Sequence, residues 1–181
     1  MTLSEAGVLV TKLRDTLAQF RDQFELWTPE IPTGAEPAKI AQGIPTSVAA
    51  ALTMCDGLYM EHSTQLYSSD DLPYRQVSEN LVGAVLPDGT KLADASHFFC
   101  FGQAAGNPLL VDSRDGSVWR VPDDGVVWYT GCRLEKIAVD VAEFFTDWIA
   151  SLRFQDLAGL PSAELETSDW YRLLRLSGLA T

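Results

Sequence analysis

Two histidines, three cysteines and two pairs of adjacent aspartates are the residues through which this chain could do chemistry, and their spacing limits what that chemistry can be. His62 and His97 stand at no metal-ligand spacing from each other or from a cysteine. Cys100 follows His97 by three residues, and alternation along a strand sends such a pair to opposite faces, which separates a nucleophile from its base. Cys55, Cys100 and Cys132 are odd in number, far apart and without a C-x-x-C pair, so they read as reduced, packed thiols rather than a disulfide framework or a zinc site. The segment FGQAAGNP places Gly102 and Gly106 in a turn, but no Gly-Lys-Ser or Gly-Lys-Thr follows to hold phosphate. Asp112, Asp115 and Gly116 open like a calcium loop, yet the ligand spacing fails and position twelve carries no glutamate, so a hairpin turn is the reading. The pairs Asp70-Asp71 and Asp123-Asp124 could divide acid and base roles, although adjacent aspartates in turn-rich segments are as a rule solvated. No catalytic residue, metal ligand or cofactor emerges, and the chain is expected not to be an enzyme.

Charge narrows the partners. The 181 residues carry 25 acidic against 13 basic side chains, a formal net charge of -12. Phosphate contact needs a basic stripe whose counterion release drives association, so direct nucleic-acid binding is not expected. Between Lys39 and Arg75 there is no basic residue, while Asp56, Glu61, Asp70 and Asp71 fall in that gap. The plain reading is a solubilising surface; the sharper one is an acidic face offered to a basic partner. No apolar run approaches the roughly 18 residues of a membrane span, and Glu5, Lys12, Arg14 and Asp15 give the N-terminus no signal-peptide character. A soluble, cytoplasmic protein is expected.

Periodicity supplies the elements that must position these residues. Leu9, Leu13, Leu17, Phe20, Phe24 and Trp27 line one face of a helix, with Thr2 and Glu5 as its capping box. Pro29, Pro32, Gly34 and Pro37 make the next stretch a linker or an extended wrap. A second helix runs from about Pro45, in its first turn, to Cys55, with Gly57 ending it. Short strands then follow at 65–67, 79–86, 97–101, 109–111, 118–121 and 125–129, punctuated by Asp88-Gly89 and Asp115-Gly116 turns. Val141, Phe144, Phe145, Trp148, Ile149 and Leu152 recur at helical spacing behind an Asp140/Glu143 cap, and a last helix spans about 168–177 before Gly178. Trp27, Trp148 and Trp170 fall on apolar helix faces, whereas Trp119 and Trp128 on strands are either buried or an exposed aromatic patch. Strands grouped in the middle with helices at both ends predict an α+β fold, a central antiparallel sheet with helices packed on one face.

The order of these signals resembles the SUKH superfamily of fungal cell-wall-assembly regulators and bacterial immunity proteins. The residues that carry the resemblance are Gly43-Ile44-Pro45 opening a helix, Leu52 and Asp56-Gly57 at its end, and Leu66 on a short strand. Phe99-Cys100-Phe101-Gly102 leading to Gly106, the strand Leu109 to Asp112, Gly116 to Val121, Ile137-Ala138 and the helix Val141 to Leu152 continue it. It covers about residues 40–152; the turn Gln103 to Asn107 lacks the usual acidic or glycine-rich character. The organisation read from it is an N-terminal helix and Pro-rich linker (1–40), a SUKH-like domain (41–152) and a C-terminal helical extension (153–181).

What the resemblance implies is a non-catalytic protein-binding module, in bacteria most often a cytosolic immunity protein that binds and neutralises a cognate toxin domain of nuclease or deaminase type. A toxin that grips nucleic acid is basic, and an acidic inhibitor is steered to it. The expected contact surface is Glu61, Asp70, Asp71, Asp123, Asp124 and Trp128. Two alternatives stand beside it: a regulatory or scaffold protein of the same fold, and an enzyme or small-ligand receptor using a cleft between sheet and helices.

Overall fold

The computed structural model describes residues 2–24, 29–61, 63–123, 125 and 127–180. Among them six strands, β1 (Leu58–Glu61), β2 (Thr64–Leu66), β3 (Phe98–Ala104), β4 (Asn107–Asp112), β5 (Val118–Arg120) and β6 (Glu135–Ala138), form one antiparallel meander in sequence order. Local chemistry sets the register. At the β3–β4 turn Ala105 and Gly106 both take positive φ, 49° and 80°, the hand that lets a two-residue hairpin follow the strand twist. A Cβ on Gly102 would lie 2.5 Å from the Gln65 carbonyl oxygen, so only glycine allows β2 to pair this closely with β3.

Helices from both ends of the chain cover one face, giving the α+β architecture. They are α1 (Leu3–Gln19), α2 (Thr46–Met54), α3 (Val141–Phe144), α4 (Phe154–Ala158) and α5 (Asp169–Leu176), with α3 running on through a π-turn, Phe145–Ile149. The Thr2/Glu5 capping box starts α1, the Asp140 carboxylate accepts from the Glu143 N–H at 2.8 Å, and Ser168 caps α5. α1 packs on α2, α3 and α5, and its buried Ala6, Val10, Leu13 and Leu17 join the sheet and the C-terminal helices in one hydrophobic core. Buried Trp148 and Trp170 donate their indole N–H groups to Ile137 O and Ile149 O, at 2.8 and 2.9 Å, so neither ring leaves a donor unsatisfied.

The opposite face is also covered. Leu109, Leu110 and Val111 are consecutive on β4 and all fully buried, which alternation permits only if both faces are shielded. Arg120, paired with Leu109, lies over the Trp148 ring on the helical side. Trp119, paired with Leu110, faces Leu86 and Leu92 of the long excursion between β2 and β3.

Several elements differ from the sequence reading. The 79–86 strand is a 3₁₀ turn, Ser78–Leu81, followed by Val85 bridging Lys91 and Arg133, because Gly83 takes positive φ and breaks the extended run. The 125–129 strand is likewise replaced by a 3₁₀ turn at Trp128–Thr130. Pro45 is the N-cap of α2 rather than part of its first turn. α1 stops at Gln19, Phe20 being its C-cap, while Trp27 lies outside the described residues. The Pro-rich stretch is a docked wrap: the Arg14 guanidinium donates to Ile31 O (3.0 Å), Pro32 O (2.6 Å) and Met54 O (2.9 Å), and Glu30 bridges Tyr59.

Candidate functional site

Residues 67–81 leave the sheet after β2 and are fastened to it at several points. Asp56 accepts from the Ser69 N–H (2.6 Å) and hydroxyl (3.1 Å), tying the start of the segment to the turn after α2. Leu72 and Leu81 are fully buried and plug the core at two points along it. Between them Gln76 reaches β3: its Nε2 donates to Cys100 O at 2.9 Å while its Oε1 accepts from the Cys100 N–H at 3.0 Å. β2 pairs with Gln103 and Gly102, and Tyr67 N–H reaches Phe101 O. The Gln76 amide therefore supplies the next pair that the strand itself no longer makes.

The outer side of this segment is acidic. Asp70 is exposed and has no hydrogen-bond or ion-pair partner among the described residues; the Asp71 carboxylate, also exposed, accepts from the hydroxyl of its neighbour Ser68 at 2.9 Å. Pro73 lies between the buried Leu72 and Tyr74, whose side chain is 87% exposed. Arg75, the one basic residue between Lys39 and Lys91, sits over the Tyr67 ring, 5.3 Å from its centroid.

The other expected contact residues divide. Glu61, partly buried, is tied into the fold: its Oε1 accepts from the Ser168 hydroxyl and from Trp170 N–H at 3.3 Å, holding the start of α5 to the β1 edge. Asp123 is exposed and accepts from Gly125 N–H at 3.3 Å. Trp128 is half-buried, with the Tyr129 ring edge-on at 5.5 Å; Asp124 lies outside the described residues. Asp70 and Asp71 thus belong to the excursion after β2, and Asp123 and Trp128 to the β5–β6 loop. Val85 connects the two by its bridge to Arg133, beside a cleft of about 470 Å³ lined by Leu86, Pro87, Pro122 and Leu134.

The groups with chemical potential are occupied in packing or turns. Burial pushes the Cys55 thiol up to about 12 and Cys100 up to about 11, and Cys132 is buried too. Asp112 closes the β4–β5 turn: burial would raise its carboxyl, but hydrogen bonds from the Arg114 side chain (2.7 Å) and backbone (2.9 Å) hold it below the usual carboxylate range. The His97 Nε2 lies 3.9 Å from that carboxylate and has no hydrogen-bond partner among the described residues. His62 lies outside the described residues. Among the described residues no group of three or more His, Cys, Asp or Glu side chains could hold a metal ion, and no helix is long and apolar enough to cross a membrane.

Two residues of the candidate site, Tyr74 and Gln76, were not singled out by sequence. The signal for Tyr74 was a tyrosine just after proline in a turn-rich acidic stretch, without periodic apolar neighbours. Gln76 gave none, since its role depends on a strand 24 residues away. Comparison of the chain with protein-family models, curated proteins and solved structures returned no match.

Proposed function

We propose that the chain is a stoichiometric protein-binding module of the immunity type, which occupies the nucleic-acid-gripping surface of a basic toxin domain without turnover, metal or cofactor. The supporting observation is the 67–81 segment: it carries the exposed carboxylates of Asp70 and Asp71 on a support fixed by Asp56, Leu72, Gln76 and Leu81. Charges so held contribute to encounter with a cationic surface without a large ordering cost on binding. The SUKH resemblance, carried by sequence motifs between Gly43 and Leu152, points to the same reading. Direct nucleic-acid binding does not fit a chain of net charge -12.

The test is affinity capture from a lysate of the source cells at low and at moderate salt, with identification of the retained proteins. A basic toxin domain that elutes as salt rises is the expected result. Retention of envelope or housekeeping proteins alone would favour a regulatory module instead, and retention of nothing would leave the inhibitor reading without a partner.

A further inference from the structure

We infer that Tyr74 is a pre-set anchor for that partner: its ring enters an apolar pocket on a basic protein while Asp70 and Asp71 meet cationic side chains at the rim of the pocket. The inference rests on the protein-binding reading above and adds the side chain on which it turns.

Exposure singles Tyr74 out. Among the large apolar side chains at the surface of the described residues, Val8, Val82, Val127, Val139 and Leu152 are aliphatic and between 49% and 67% exposed, as surface residues commonly are. Tyr129, the other exposed tyrosine, is 61% exposed and has the Trp128 ring against it. Tyr74 stands at 87% and packs against no aromatic ring among the described residues. A tyrosine brings a large amphipathic surface and only two side-chain torsions to order, the combination enriched at the centres of interfaces.

The backbone beneath it is already ordered. Tyr74 N–H donates to Asp71 O at 3.0 Å, Arg75 N–H to Leu72 O at 3.2 Å, and Gln76 Nε2 to Leu72 O at 2.8 Å. The turn is closed on one side by buried Leu72 and on the other by the Gln76 clamp on β3, so the ring is presented without a loop to freeze on binding. The local charge points to the chemistry of the partner. Asp70 and Asp71 occupy the same turn and outnumber its one cation, the exposed Arg75, whose guanidinium lies 5.3 Å from the centroid of the Tyr67 ring. An acidic or neutral surface would leave two carboxylates facing like charge or losing water without compensation, whereas a basic rim compensates them.

The full-length chain is prepared with the photo-cross-linker p-benzoylphenylalanine at position 74 or, as the control, at position 8 on α1, and irradiated in the cells that make it. Adducts are then identified by mass spectrometry. Position 74 is expected to cross-link a protein whose contacting domain is basic, position 8 is not, and Asp70→Lys with Asp71→Lys abolishes the adduct. With the identified protein purified, Tyr74→Ala weakens binding by about thirty-fold or more, Tyr74→Phe keeps most of the affinity, and the thermal unfolding of both variants is unchanged. Equal adducts from both positions, an adduct with an acidic protein or a nucleic acid, or Tyr74→Ala binding within about twofold of the parent would overturn the anchor. If affinity capture retains a basic toxin domain but position 74 gives no adduct, the anchor fails and the inhibitor reading survives. If neither experiment yields a protein, both fail.

Discussion

The helical layer around α3–α5 and the excursion between β2 and β3 use similar side chains to opposite ends. In the layer, Phe144, Phe154 and Trp170 are buried to 1% exposure or less, their rings packed against other aromatics and the Trp170 N–H satisfied. In the excursion Tyr74 stands in solvent, while an aliphatic residue two positions earlier, Leu72, does the burying and an amide, Gln76, does the fastening. Exposure there is not looseness. The first region spends its aromatic surface on stability; the second leaves Tyr74 in solvent and relies on hydrogen bonds and two leucines for rigidity. Mutations of exposed residues in the second region should therefore cost far less stability than mutations of the buried rings in the first.

The largest effect is expected in the layer. Phe144→Ala removes a fully buried ring that meets Phe101 edge-on at 5.6 Å, and should cost about 3–5 kcal/mol in urea unfolding. Next is Gln76→Ala, which leaves the Cys100 N–H and C=O without the partners they have, at about 1–3 kcal/mol. Its effect should be local: hydrogen exchange should rise across 70–78 more than in α3–α5, whereas a uniform rise would erase the contrast between the regions.

Titration gives a smaller effect outside both regions. The folded-state carboxyl of Asp112 lies below its unfolded value, so its contribution is present above about pH 4 and is lost as pH falls through the lower folded value. Asp112→Asn should flatten the acid limb of the stability curve. At the other end, Cys55 (up to about 12), Cys100 (about 11) and Tyr67 (about 12, also chiefly through burial) ionise more readily in the unfolded chain. Stability should therefore decline as pH rises from about 8.5 toward those folded values, and the buried thiols of Cys55, Cys100 and Cys132 should react with a thiol reagent only in denaturant. The smallest change in stability is expected for Tyr74→Ala and for Asp70→Lys with Asp71→Lys, within about 0.5 kcal/mol of the parent. A loss above about 2 kcal/mol at Tyr74 would mean that the ring serves the fold, and the comparison would collapse.

Sequence alone determined the parts whose physics is local. The capping box at Thr2/Glu5, the cap at Asp140, the hairpins at Asp88-Gly89 and Asp115-Gly116 and the apolar face from Val141 to Ile149, though not its expected last member Leu152, which is exposed, are all set by residues within a few positions of one another. With strands in the middle and helices at the ends, these were enough for the α+β class. Tertiary structure decided what depends on distant partners. The 79–86 stretch has strand composition, but Ser78–Leu81 closes as a 3₁₀ turn and the positive φ at Gly83 redirects the chain, so β-bridging is confined to Val85. Glu61 and Asp70 look alike as acidic residues in the same basic-free gap. One meets the start of α5 more than a hundred residues away and is absorbed into the fold, while the other is exposed and meets no hydrogen-bond or ion-pair partner among the described residues. A carboxylate's charge is written in the sequence; whether water or protein satisfies it is decided by what the folded chain brings within hydrogen-bond reach.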